Sequence, residues 1–125
     1  MSRKIDFLDN VASSLESWTE SATNSLTNPN ENLIWIDNDE PFKRIQKILL
    51  SNGIPREVIH DIFYECLKGY THSLLCILDG ATELSDKGRI YLVDEEGNKL
   101  GDGLHEQFID YLFDKHEKSK GSGSH

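Results

Sequence analysis

Apolar and polar positions alternate along most of this chain with a helical period. Ile5, Leu8, Val11, Ala12, Leu15, Trp18 and Ala22 step by three and four residues, which lays one apolar stripe along a helix. Asp6, Asp9, Ser13, Glu16, Ser17 and Glu20 fall on the opposite face. The pattern weakens over 21–25 and predicts an end before the turn cluster Thr27-Asn28-Pro29-Asn30. With so many Ser, Thr and Asn residues the segment is a poor helix on propensity alone, so it depends on tertiary packing.

Asn32-Leu33-Ile34-Trp35-Ile36 is a short apolar run between polar turn residues and predicts a strand. A helix is expected over 41–51. Pro41 suits its first turn, and the acids just before it complement the positive end of the helix dipole. Phe42, Ile45, Ile48 and Leu49 form its expected inner face, and Asn52-Gly53 its stop. After Pro55, the residues Val58, Ile59, Ile62, Phe63, Cys66, Leu67 and Tyr70 resume the helical period, and Leu74, Ile77 and Leu78 continue it past Gly69. Two consecutive helices over 55–68 and 70–79, or one bent helix, satisfy this stretch, with a strand over 73–78 as the alternative. Arg89-Ile90-Tyr91-Leu92-Val93, the turn Asp94-Glu95-Glu96-Gly97-Asn98 and the return Lys99-Leu100 predict an antiparallel hairpin. Asp102 suits the N-cap of a last helix with Leu104, Phe108, Tyr111 and Leu112 inward. The predicted fold class is α+β and mainly helical: four to five helices with a small antiparallel β-hairpin or short sheet, to which 33–36 contributes. Residues 1–119 are expected to form a single globular domain. Residues 120–125, Lys-Gly-Ser-Gly-Ser-His, read as an appended linker and tag remnant.

Composition narrows the classes. A chain of 125 residues with 37% hydrophobic side chains has enough for one modest core. Thirteen basic and 22 acidic residues give a net charge of −9, which disfavours contact with a phosphate backbone. The longest fully apolar run, Leu74 to Leu78, falls far short of the roughly 20 residues a membrane helix needs. The first residues show no apolar core of a signal peptide, so the cytosol is the expected compartment. The charge is uneven: net −6 over 1–40, +2 over 41–70 and −6 over 71–118. Asp37, Asp39 and Glu40, and Asp94, Glu95 and Glu96, are the densest acidic clusters. Acids beside an exposed aromatic suit a basic protein partner, with the charges steering encounter and Trp35 as anchor. The same residues serve equally well as helix-start and turn formers, and Trp35 as core.

Catalytic and metal-binding patterns are sparse. An EF-hand loop begun at Asp94 fails, because Lys99 stands at the glycine position and His105 at the final glutamate. His60, His72, His105 and His116 show no second ligand at a familiar metal spacing. His105-Glu106 opens like a zincin helix, but Ile109 stands where the second histidine belongs. His105 with Asp102 or Glu106 is the one general acid–base candidate. No serine lies in a nucleophile elbow, and Gly101-Asp102-Gly103 lacks the lysine and length of a phosphate loop. Lys43, Arg44, Lys47 and Arg56 read as a solvated face. Cys66 and Cys76 form no CxxC pair and read as reduced, buried thiols. No metal and no cofactor is expected.

In size, acidity and outline over its whole length the chain resembles the small immunity proteins that bacteria keep against their own or their neighbours' toxins, including those of contact-dependent growth inhibition. The resemblance implies an acidic surface that covers a basic toxin domain, often a nuclease, and blocks its active site or substrate channel. It assigns no residue. The partner-binding candidates Trp35, Asp37, Asp39, Glu40, Asp94, Glu95 and Glu96 come from the charge argument. The expected function is thus an acidic protein-binding module rather than an enzyme, with no direct nucleic-acid contact and no membrane insertion. The alternatives are a regulatory or adaptor domain, with the first helix as a detachable interaction element, and a small enzyme built on His105 and nearby carboxylates.

Overall fold

The computed structural model describes residues 3–79, 90–101 and 103–123. Four helices account for most of them: α1 (Lys4–Thr27), α2 (Glu40–Ser51), α3 (Arg56–Leu78) and α4 (Leu104–Gly123). They gather into two compact units, Met1–Ser13 with Gly69–His125, and Ser14–Lys68, so that α1 and α3 each contribute to both.

In the first unit the core forms where apolar residues recur every fourth position. Leu8 and Ala12 come from α1, Leu75 from α3, and Leu104, Phe108 and Leu112 from α4, joined by Leu100. The Tyr111 hydroxyl donates to Asp9 at 2.7 Å, which fixes α4 against α1 at the rim of this core. The amides that open α4 are satisfied by a residue distant in sequence. Asp79, just past α3, accepts from the N–H of Leu104 (3.0 Å) and of His105 (2.8 Å). The N-cap expected of Asp102 lies outside the described residues.

The α+β expectation is overturned: the fold is all-helical, and among the described residues there is no sheet. Around 94–98 a turn does form, with the Asp94 N–H donating to the Asn98 carbonyl (2.9 Å) and Gly97 at φ +84°. Pairing then stops at one antiparallel bridge, Val93 to Lys99. The reason is burial. A two-stranded ribbon persists only with enough covered surface, and here only Leu100 is buried and Leu92 half-buried, while Ile90, Tyr91 and Val93 stay exposed. The strand expected at 33–36 is likewise a turn, closed by the Ile36 N–H to the Leu33 carbonyl (3.1 Å), with Ile34 84% exposed. The stretch past Gly69 continues as one helix rather than the alternative strand over 73–78. Arg89, the first residue of the expected hairpin, lies outside the described residues.

The second unit has a polar interior. Leu15 and Ile59 are buried beside Thr19, Thr23, Ser25 and Gln46. The hydroxyls of Thr19 and Thr23 donate to carbonyls one turn back (2.7 and 2.6 Å), so they enter the interior already satisfied. Gln46 Nε2 donates to the Ser25 carbonyl at 2.7 Å. This bond turns Gln46 inward; of the expected inner face of α2, Phe42 and Leu49 are half-buried and Ile45 and Ile48 are exposed. Helix α2 ends as its sequence suggests. Gly53 takes φ +60°, and the N–H groups of Gly53 and Ile54 return to the carbonyls of Leu50 (3.3 Å) and Leu49 (3.2 Å). The Arg56 guanidinium reaches from the start of α3 to Glu20 and Asn24 of α1. No helix among the described residues is long and apolar enough to cross a membrane.

Candidate functional site

The densest chemistry in the first unit lies where the last turns of α3 meet the first turn of α4. His72 and Cys76 are four residues apart on α3 and share a face, as that spacing requires. His72 Nδ1 lies 3.8 Å from Cys76 Sγ. His105, the second residue of α4, packs edge-on against His72 with ring centroids 5.3 Å apart. One donor atom from each of His72, Cys76 and His105 lies within 4.8 Å of the other two, and all three residues are half-buried. Asp79 orients the His105 ring. Its carboxylate takes the His105 backbone N–H and also His105 Nδ1, and its side chain is only 4% exposed. Burial opposes the charge on Asp79. The His105 amide, the His105 ring and the Leu104 amide together outweigh that cost and hold the carboxyl below its ordinary value. Asp79 is therefore ionised at neutral pH and can only accept, so Nδ1 of His105 is the donor in this contact.

The two acidic clusters fall in different units. In the second, Trp35 is 42% exposed and lies edge-on between Trp18 (centroids 5.2 Å) and Phe42 (6.2 Å). Trp18, expected in the core, is itself 50% exposed. Asp37 and Asp39 are exposed. Asp39 precedes α2 without a side-chain cap bond; the Glu40 N–H is taken instead by Asn38 Oδ1 at 3.2 Å. Glu40 pairs with Arg44 one turn on. In the first unit the second cluster is largely committed to structure. Asp94 accepts the amides of Glu96 and Asn98, both at 2.9 Å, and Glu95 pairs with Arg3. Glu96 is exposed. A shallow apolar depression of about 100 Å³ is lined by Leu26, Thr27, Leu49, Leu50, Gly53 and Ile54. It is smaller than the few hundred Å³ typical of small-molecule sites.

Further placements differ from expectation. Cys66 is exposed rather than buried, Cys76 is half-buried, and both are free thiols. The carboxylate that engages the ring of His105 is Asp79, while Glu106 lies 3.8 Å from Nε2 and is exposed; Asp102 lies outside the described residues. The meeting of His72, Cys76 and His105 was not anticipated. Its one local signal is the four-residue step from His72 to Cys76, since the third member arrives from another helix. No protein-family model, no curated protein and no solved structure matches this chain.

Proposed function

We propose that the protein is an acidic protein-binding module of the immunity type, which binds and neutralises a basic toxin domain in the cytoplasm. The observation that carries this reading is the half-exposed aromatic row Trp18, Trp35 and Phe42 beside the exposed carboxylates Asp37 and Asp39. Aromatic anchors ringed by like charge suit a partner that presents apolar surface rimmed with Lys and Arg. The net charge of −9 adds long-range steering toward such a partner. Trp35, Asp37 and Asp39 form the centre of the surface, with Glu40 at its edge. Asp94, Glu95 and Glu96 contribute to the overall field, because two of them are occupied by the turn and by Arg3. Burial of Leu8, Ala12 and Leu15 makes α1 part of the interior, which disfavours an adaptor whose first helix detaches.

Affinity capture from the source cell tests the proposal, with the wild-type chain and a Trp35→Ala, Asp37→Lys, Asp39→Lys variant as parallel baits. The expected result is a stoichiometric basic protein, retained best at low salt by the wild type, whose toxic activity stops when one equivalent of this chain is added. Trp35→Ala alone should cost about 2 kcal/mol of affinity, the scale of a buried aromatic anchor. An acidic partner, or a basic one held equally by the variant, refutes the assigned surface. A partner whose activity is unaffected by this chain refutes the neutralising role.

A further inference from the structure

We propose that His72, Cys76 and His105 form a binding site for a zinc-class transition metal, with Asp79 as the carboxylate that orients His105. The inference stands on the geometry of the first unit and is independent of the partner-binding reading. Two imidazoles and a thiol with donor atoms within 4.8 Å of one another match the nitrogen and sulfur donors that Zn²⁺ takes. In a tetrahedral zinc site, bonds of about 2.0 Å to nitrogen and 2.3 Å to sulfur place those two atoms about 3.5 Å apart. His72 Nδ1 and Cys76 Sγ are already at 3.8 Å. The carboxylate–histidine pair is the usual support of a metal-bound imidazole: Asp79 engages Nδ1 and fixes the ring, so Nε2 is the nitrogen that would meet the ion. Hard ions such as Ca²⁺ and Mg²⁺ are disfavoured, because they require oxygen donors.

Binding takes Cys76 as the thiolate, with its proton released to solvent and no change of oxidation state. Three protein donors leave a fourth position for water or an outside ligand. Two donors lie on α3 and one on α4, so the ion closes the chain between Cys76 and His105 and fastens the two helix ends together. Binding therefore stabilises the folded state.

The test uses Co²⁺ and Zn²⁺ alone, added to the full chain freed of metal. One equivalent of Co²⁺ should give a thiolate-to-cobalt charge-transfer band and strong visible bands of four-coordinate cobalt, both abolished by one equivalent of Zn²⁺. In the wild-type protein, Zn²⁺ should slow alkylation of Cys76 by roughly tenfold or more while exposed Cys66 reacts as before, because a coordinated thiolate is no longer a free nucleophile. Cys76→Ser should lose the charge-transfer band, and Cys66→Ser should keep it. Asp79→Asn should weaken Zn²⁺ affinity by roughly 10–100-fold, the usual effect of removing an outer carboxylate. Equal alkylation of Cys76 with and without Zn²⁺ overturns the proposal. So does cobalt binding without a thiolate band, which places the ion on histidines elsewhere. The alkylation readout needs no variant, so the conclusion survives a substitution that fails to fold.

Discussion

Asp79 shows how one residue can serve two elements. Its carboxylate takes the first amides of α4 and the His105 ring, so it acts as an N-cap supplied from another part of the chain. Asp79→Ala should lower stability by about 1 kcal/mol or more, the scale of a lost N-cap, and Asp79→Asn by less, since one acceptor oxygen remains. A urea midpoint unchanged in Asp79→Ala would remove the cap from the account. Asp94 gives a second test. The Asn98 amide holds its carboxyl below the ordinary value against the cost of desolvation, with the Glu96 amide, the Asn98 side chain and Arg3 helping. The folded value lies below the unfolded one, about 3.9. The contribution to stability is thus fully present above the unfolded value and is lost as pH falls through the folded one. In a nuclear magnetic resonance titration the Glu96 and Asn98 amides should shift together, with a midpoint below that of a free aspartate. A midpoint at the free value would mean that the turn does not hold the carboxylate. Residue roles of this kind were only partly legible in the sequence. Asp94 stood in a recognisable turn, whereas nothing local told that Asp79 would reach His105 across the intervening chain.

Helices were the legible elements because their signal is periodic and their hydrogen bonds close within the segment. The stop of α2 was readable for the same reason: Asn52-Gly53 supplies the positive φ that its final bonds require. Strands were not legible, because pairing depends on burying a face; Ile34, Ile90, Tyr91 and Val93 stay exposed, and Leu100 is the one buried residue among the described positions of the expected ribbon. The choice of inner face also escaped the pattern. Thr19 and Thr23 bond within α1, and Gln46 bonds to Ser25, so polar side chains hold positions that hydrophobicity assigns to Ile45, Ile48 and Trp18. Helix α3 offers a clean test at this scale. Gly69 lies inside it, exposed, and a β-carbon there would meet nothing within 4 Å. Gly69→Ala should therefore stabilise the protein by about 0.5–1 kcal/mol, chiefly by restricting the unfolded chain. A lower melting temperature in Gly69→Ala would show that α3 is not a regular helix at this point.

Across the whole molecule the apolar side chains are divided unevenly, and this division links stability to the proposed function. The first unit buries Leu8, Ala12, Leu75, Leu100, Leu104, Phe108 and Leu112, whereas the second buries only Leu15 and Ile59 among its large apolar residues. Trp18, Trp35, Ile45, Ile48, Val58 and Ile62 of the second unit remain in water. The charge balance was readable from composition, but which acids are available was not, since Arg3 and Arg44 claim Glu95 and Glu40 only once the chain has folded. Local stability follows buried apolar contact. Helix α2, whose one buried residue is Gln46, should open without global unfolding, while the amides around Phe108 and Leu112 should exchange only when the first unit unfolds. Hydrogen exchange of the free protein should therefore give lower protection throughout α2 than over 108–112. Equal protection in both would mean that the polar interior of the second unit is as stable as the apolar core of the first. Such an outcome would also remove the energetic reason for that unit to take a partner. If the order is as expected, a basic domain seated on Trp35 and Phe42 should slow exchange in α2 and leave 108–112 unchanged, because the apolar surface it covers lies at the start of that helix.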